Sequence, residues 1–174
     1  MTASDPPEPQ GQDSLSTACR AVRDAVLVSR HAPLSARYAL QAVASIDRLS
    51  DVAFVRRPDL SEPLLATAED ILSFRAALRI CNPDLRPLMD LMACSATGPR
   101  LQVVALQVPP DGFAGLPVAD LMVSLYNGGT VPRLMLVQPD GQMVPMQHLL
   151  QGALLWWETT LDLCSQAPNR QAGI

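Results

Sequence analysis

The sequence contains no lysine, so arginine supplies all 13 of its basic residues. Acidic residues number 17, and the formal net charge at pH 7 is therefore -4, with an isoelectric point near 5.0. Proteins that bind nucleic acid normally concentrate basic side chains on one surface to neutralise phosphates. The scarcity of positive charge therefore predicts no nucleic-acid partner.

Cysteine and histidine are too few and too dispersed to indicate a metal centre. No Cys-x-x-Cys pair or other zinc-type spacing occurs among the four cysteines and two histidines. We therefore predict no metal ion and no cofactor. The residues concerned are Cys19, Cys81, Cys94, Cys164, His31 and His148.

Long apolar runs and targeting signals are also lacking. No uninterrupted apolar run approaches the roughly 18 to 20 residues that span a bilayer, and the first residues do not have the basic and apolar regions of a signal peptide. These absences predict a soluble cytoplasmic protein with reduced thiols and no transmembrane segment. Residues 1–12 are predicted to form a disordered tail, residues 13–165 a single domain, and residues 166–174 a flexible C-terminus.

Part of the chain occurs twice. Residues 88–104 align without a gap with residues 121–137 at an offset of 33, and seven of the 17 aligned positions are identical. Each segment contains a Thr-x-Pro-Arg motif and is followed by a Pro-Asp-Gly turn. Two copies are too few for a solenoid, which needs about three or more repeats to bury a continuous core. We therefore predict a duplicated helix-strand unit within one small domain.

Hydrophobic periodicity and the positions of proline and glycine predict a helix-rich α+β fold. N-terminal helices are expected to pack on a small mixed sheet built from the duplicated unit, and a long C-terminal helix closes the domain. Strand 101–108 is expected to be covered on both faces and to pair in parallel with the second strand, while a hairpin adds an antiparallel edge. Residues 52–55 are ambiguous between strand and helix. Helices are predicted at about residues 13 to 30, 38 to 49, 61 to 78, 83 to 92, 117 to 126 and 147 to 164.

The predicted C-terminal helix carries more apolar surface than packing on one side requires. Its two tryptophans are adjacent and diverge by about 100° around the helix, so one of them is expected to contact something other than the core. We predict Trp157 in the core and Trp156 at a contact with another protein. The predicted partner-binding surface consists of Leu149, Trp156, Trp157 and Leu163.

Arg100 and Arg133 occupy equivalent positions in the two copies, directly after proline and before a strand. Two guanidinium groups could hold a phosphate or carboxylate bidentately, which makes these residues a candidate anion-binding pair. The alternative is that each arginine caps the preceding helix or pairs with an acidic residue at the surface. No phosphate-binding loop accompanies them, since Asn127-Gly128-Gly129 lacks the lysine of such loops.

Cys94 and His148 form the one nucleophile and base combination to consider, with Cys81 as a weaker substitute. Thiol catalysis requires a lowered thiol pKa and a histidine within hydrogen-bonding reach. The competing interpretation is burial, because cysteine is among the residues most often found in protein cores. Asp111 and Asp140 both stand in Pro-Asp-Gly, where aspartate is a favoured turn residue.

Two functions of different class remain open from the sequence. The leading hypothesis is a non-catalytic protein-binding module, a small acidic adaptor or chaperone-like accessory protein. It would bind a protein partner, or itself as a homodimer, through the C-terminal helix. That helix offers no lysine or arginine on its polar face, so membrane contact is not expected. The alternative is a small enzyme with an anion-binding site near Arg100 and Arg133 and with Cys94 or His148 assisting.

Overall fold

A computed structural model of the chain describes residues 10–56, 60, 62–93, 95–109, 112 and 116–161. These residues form seven helices and three strands, which confirms the helix-rich α+β class. In chain order the elements are α1 (Gln10–His31), α2 (Ala36–Arg56), α3 (Pro63–Ala66), α4 (Ile71–Cys81), α5 (Leu85–Met92), β1 (Arg100–Gln107), α6 (Val118–Tyr126), β2 (Thr130–Val137), β3 (Met143–Pro145) and α7 (Met146–Thr160).

The first two helices form an antiparallel hairpin. Residues 32–35 connect α1 to α2, and the two helices pack along each other. Residues 52–55 extend α2 and do not form a strand, because Ala53 continues the buried face that includes Ile46 and Leu49. α1 begins at Gln10, earlier than the predicted start at residue 13. Most of the predicted tail and all of the predicted C-terminal segment 166–174 lie outside the described residues.

The prediction of a single helix over residues 61–78 is wrong, because the chain forms two helices there. α3 ends at Ala66, and α4 begins after Asp70. The Asp70 carboxylate accepts a hydrogen bond from the Ser73 backbone N–H at 2.7 Å, and the Ser73 hydroxyl accepts one from the Asp70 N–H at 3.1 Å. This reciprocal capping box satisfies two backbone N–H groups at the start of α4 and therefore favours a second helix over a continuation of α3.

α7 packs against α1, α2 and α5 and buries part of its surface in the helical core. Its first turn is held to the end of α1, because Gln147 Nε2 donates to the backbone and hydroxyl oxygens of Ser29 at 2.9 Å. Its last turn is held to the middle of α1 by Arg23 and Glu158, whose charged atoms are 2.5 Å apart. The two helices therefore run antiparallel. The largest fully buried side chains are Val22, Val43, Ile46, Leu49, Phe74, Leu78, Leu85, Leu88, Leu136, Met146, Leu150 and Trp157.

The sheet is antiparallel throughout, so the predicted parallel pairing within a mixed sheet is wrong. The strand order is β1-β2-β3, and β1 and β3 both pair with β2 in the reverse direction. A parallel pair would need a crossover that returns the chain along the full length of β1. Instead Gly128 and Gly129, with φ of 62° and 79°, turn the chain back beside the end of β1. The Val108 N–H donates to the Gly129 carbonyl at 2.8 Å and closes this connection.

The structure does not confirm the duplication. α5 and α6 coincide at the offset of 33, and each is followed by a strand. The strands do not coincide, because β1 begins at Arg100, whereas β2 begins at Thr130, three residues before the position equivalent to Arg100. Thr97 accordingly lies in a turn, while Thr130 is paired within the sheet. The two segments share an order of elements but not the geometry of the corner.

β1 is an exposed edge strand, contrary to the prediction that both of its faces are covered. Its side chains are exposed or half-buried, and Val103 is 50% exposed. β2 is the covered strand instead, with Val131, Leu134 and Leu136 all buried. A three-stranded sheet has one central strand, and the hairpin to β3 gives that position to β2.

The Pro-Asp-Gly hairpin between β2 and β3 is confirmed. Gly141 has a φ of 87°, and the Gln138 N–H donates to the Gln142 carbonyl at 2.8 Å. The Asp140 carboxylate accepts a hydrogen bond from the Gln142 N–H at 2.9 Å, which is the turn role predicted for this aspartate. Pro145 stands in β3 at an edge of the sheet, where the missing N–H removes no bond of the ladder.

We expect the core to tolerate phenylalanine better than alanine at position 157. Trp157 is 1% exposed, and its indole N–H has no hydrogen-bond partner among the described residues. Trp157→Ala should lower the free energy of unfolding by about 3 to 5 kcal/mol through the cavity it leaves. Trp157→Phe should cost less than about half of that, because it keeps most of the apolar volume and removes an unsatisfied buried donor.

Urea denaturation followed by circular dichroism measures both values. Trp156→Ala serves as the control, because Trp156 is only half-buried and should cost less than Trp157→Ala. Equal losses for Trp157→Phe and Trp157→Ala would show that the indole contributes more than packing.

Candidate functional site

Arg133 is engaged by an acidic residue of the same domain. The guanidinium group lies on β2 and donates two hydrogen bonds to Asp120 of α6, from Nη2 to Oδ2 at 2.6 Å and from Nη1 to Oδ1 at 3.1 Å. Nη1 also donates to the Pro132 carbonyl at 3.2 Å. Bidentate pairing of this kind fixes both side chains and leaves little capacity for an external anion. Arg133 therefore fastens α6 to the sheet.

Arg100 is exposed and does not converge with Arg133. In the antiparallel register Arg133 stands opposite Val104, four residues along β1 from Arg100. At the usual rise of a strand this places the two arginine backbones about 13 Å apart. The candidate anion-binding pair was predicted from equivalent positions in two copies that run in the same direction. Because the strands run in opposite directions, the structure does not bring the pair together.

The described thiols are poor nucleophiles. Burial raises the pKa of Cys19 to about 11, outweighing the lowering effect of Arg23, and Glu158 adds to the increase. Burial also raises the pKa of Cys81, with a further contribution from Glu62. Both thiols therefore stay protonated at neutral pH. Cys94 lies outside the described residues, and its predicted partner His148 is exposed on α7.

The described residues contain neither a metal-binding cluster nor a membrane-spanning helix. No group of three or more histidine, cysteine or acidic residues is placed to hold a metal ion, and none of the described helices is long and apolar enough to cross a bilayer. A groove of about 660 Å³ lies between α4, α5 and the turn from β2 to β3. It is lined by Arg79 and Asp90, which pair with each other at 3.4 Å, and by Arg86 and Asp140. No histidine or cysteine is found among its lining residues in the described part of the chain.

The predicted partner surface on the C-terminal helix is largely core. Leu149 and Trp157 are 3% and 1% exposed, and Leu163 lies outside the described residues. Trp156 is half-buried and packs edge-on against Trp157, with 5.0 Å between the ring centroids. Leu149 was expected to face outward, but α7 contacts helices α1, α2 and α5 as well as β2 and β3, so more than one of its faces is covered. Trp157 is buried, as predicted.

α6 is oriented with its polar side toward the protein. Ser124 is fully buried, and its hydroxyl donates to the Leu121 carbonyl at 2.8 Å. Asp120 points to β2 and carries the ion pair with Arg133. The Gly129 N–H donates to the Ser124 carbonyl at 2.8 Å and holds the end of the helix. The ion pair of Asp120 with Arg133 therefore fixes α6 to the sheet, and half-buried Leu121 lies on the same side of the helix.

The opposite side of α6 presents apolar side chains to solvent. A helix on the surface of a globular protein normally shows the reverse pattern, with its apolar stripe inward. At 100° per residue the outward side chains occupy an arc of about 160° that contains no charged residue. We call this set the outer face of α6. It consists of Val118 (77% exposed), Met122 (48%), Val123 (38%), Leu125 (66%) and Tyr126 (82%), together with exposed Ala119.

Sequence reasoning predicted α6 but did not say which of its sides faces the protein. Its apolar residues, which include Val118, Met122 and Leu125, were predicted only to share one face. The signal that could have indicated the orientation was the pair Asp120 and Ser124, which are four residues apart and so share a side of the helix. A single acidic residue on that side needs a basic partner, and Arg133 is the one that the sheet supplies.

Comparison with known protein families, with curated proteins and with solved structures finds no match to this chain. The candidate functional site therefore rests on the geometry of the described residues. Among them, the outer face of α6 is the largest grouping of exposed apolar side chains on one helix.

We expect the ion pair between Asp120 and Arg133 to contribute measurably to stability. A double-mutant cycle with Asp120→Asn and Arg133→Gln should give a coupling free energy of about 1 kcal/mol, because the pair is bidentate and only partly exposed. The matched control is the pair of Arg79 and Asp90, which is more exposed, at 40% for each side chain, and has a single contact at 3.4 Å. Its coupling should be below about 0.5 kcal/mol.

Urea titrations of the wild type, the single variants and the double variants supply both values. Equal couplings for the two pairs would contradict the role assigned to Arg133 in fastening α6.

Proposed function

We propose that this chain is a non-catalytic protein-binding module whose contact surface is the outer face of α6. The observation that supports this most directly is the reversed orientation of the helix. Exposed apolar side chains are common singly on protein surfaces, but a contiguous group on one element is typical of an interaction site. The C-terminal helix, which the sequence favoured for this role, contributes only Leu155 to the exposed large apolar side chains of the described structure.

The arrangement of the outer face suits a helix that docks into a groove. Val118, Met122 and Leu125 stand at positions i, i+4 and i+7, the spacing by which an amphipathic helix fills an apolar groove. Tyr126 is 82% exposed at the end of the helix, and tyrosine is one of the residue types enriched among the anchors of protein interfaces. The partner is therefore a protein with an apolar groove about two and a half helical turns long.

Charge supports a protein partner over a lipid surface. Helices that lie on membranes normally carry lysine or arginine on a polar face that remains in contact with headgroups. α6 has no basic residue, and its one charged residue, Asp120, is paired with Arg133 on the side facing the sheet. Binding through the outer face should accordingly depend little on salt concentration.

The proposal is tested by site-specific photocross-linking in cells that produce the full chain. p-Benzoyl-L-phenylalanine replaces Leu125 on α6 or, as the matched control, Leu72 on α4, which is 74% exposed and equally apolar. We expect a discrete protein adduct from position 125 and none from position 72. Met122→Glu should weaken that contact by about 2 kcal/mol, which is roughly thirtyfold in the dissociation constant, without lowering the melting temperature.

The result that would refute the proposal is the absence of an adduct from position 125, or the same adducts from both positions. Sedimentation of the purified protein with vesicles of anionic phospholipid tests the alternative that the outer face binds lipid. Binding to vesicles that Met122→Glu abolishes would assign the outer face to lipid instead of protein.

A further inference from the structure

The two edges of the sheet differ in how well they are protected. β3 has only three residues and ends at Pro145, which are two of the devices by which proteins block unwanted pairing at an edge. β1 has eight residues and contains no proline, no lysine and no acidic residue. In the described part of the chain no other strand pairs with the outer edge of β1. This edge therefore presents a row of backbone donors and acceptors.

The register shows which residues of β1 supply those groups. The Val108 N–H donates to the Gly129 carbonyl, and these two residues continue the pairing of β1 with β2. In an antiparallel ladder, hydrogen-bonded and non-bonded pairs alternate. Residues at even positions of β1 therefore bond to β2. The N–H and C=O groups that point outward are those of Leu101, Val103, Ala105 and Gln107.

We propose that β1 pairs with β1 of a second copy of this chain, in antiparallel orientation about a twofold axis, to form a continuous six-stranded sheet. In the register that uses all four outward residues, Val103 stands opposite Ala105 of the second copy and Leu101 stands opposite Gln107. Val104 then stands opposite its own symmetry mate. This interface goes beyond the outer face of α6 and does not depend on it.

Self-complementarity favours a second copy over an unrelated strand. The four outward residues are spaced symmetrically around Val104, so one twofold register satisfies every one of them. The only charged residue of β1 is Arg100, at its start. In the proposed register the two Arg100 backbones lie eight positions apart, about 27 Å. That distance exceeds the screening length at physiological salt, so like charges do not oppose the pairing.

The side chains that meet across the axis are also compatible. Val103 is 50% exposed in the single chain and would be covered by the small side chain of Ala105 from the second copy. Valine is favoured in strands, and valine opposite valine at position 104 forms an apolar cross-strand pair. Pairing of β-branched and small side chains leaves room for both backbones to approach at hydrogen-bonding distance.

The first part of the test is the mass of the full-length protein by sedimentation equilibrium over a series of concentrations. We expect a monomer-dimer equilibrium for the wild type. Ala105→Pro removes an outward N–H without breaking a bond to β2 and should give a monomer with unchanged circular dichroism. Should that variant unfold, Val103→Lys places a charge on the same exposed edge and should also give a monomer. A wild type that is monomeric throughout, or variants that are folded and still dimeric, would overturn the proposal.

The second part tests the register by oxidative cross-linking. Val104→Cys places two thiols opposite each other in a non-hydrogen-bonded pair, where Cα atoms lie about 4.5 Å apart and a disulfide can form. Gln102→Cys is the control, because its thiols would be separated by four positions, about 13 Å. We expect the disulfide-linked dimer, mapped by mass spectrometry, to form more than tenfold faster at position 104. Equal rates at the two positions, or no cross-link at either, would contradict the proposed pairing.

Discussion

The fold depends on β2, which is flanked by a strand on each side and covered on both faces. Leu134 and Leu136 join the helical core on one face, whereas Arg133 on the other face binds Asp120 and fixes α6. Because the sheet has three strands in the described part of the chain, no other strand there has this position. Placing α6 against β2 through an ion pair determines that the apolar side chains of the helix point away from the protein.

The same constraint accounts for both surfaces to which we assign a role. Among the described residues, the ion pair with β2 leaves the outer face of α6 uncovered, and the central position of β2 leaves β1 with one unpaired edge. The first surface is made of apolar side chains and fits a groove of another protein. The second is made of backbone groups and fits an identical strand. They are separate in chemistry, so the loss of one should leave the other intact.

Local patterns allowed several features to be predicted from the sequence. The turn at Pro139-Asp140-Gly141 depends on residues within the turn itself, and it was predicted. The helical periodicity that places Trp157 and Leu150 on buried faces of α7 is also a local pattern, because it depends on residues close together in the sequence. The capping box of Asp70 and Ser73 is equally local, and the sequence contains the signal, although the predicted continuous helix ignored it.

The predictions that were wrong concern which elements each face of a helix or strand contacts. The periodicity of the sequence does not carry that information. The direction of β1 relative to β2, the exposure of Val103 and the burial of Leu149 all depend on elements distant in sequence. The orientation of α6 is the clearest example, because its stripe of apolar residues indicates a shared side but not whether that side faces the core. The ion pair of Asp120 with Arg133 of β2 decides which side of α6 faces the protein.

The orientation of α6 can be measured directly by methionine oxidation. Dilute protein is treated with hydrogen peroxide, and sulfoxide formation at each methionine is followed by mass spectrometry. Met122 on the outer face is 48% exposed and Met143 is 51% exposed, whereas Met135 on β2 is 4% exposed and Met146 in the core is 0% exposed. We expect Met122 and Met143 to oxidise at similar rates and more than about tenfold faster than Met135 and Met146. If Met122 is protected while Met135 oxidises rapidly, the apolar side of α6 does not point to solvent, and the account is contradicted.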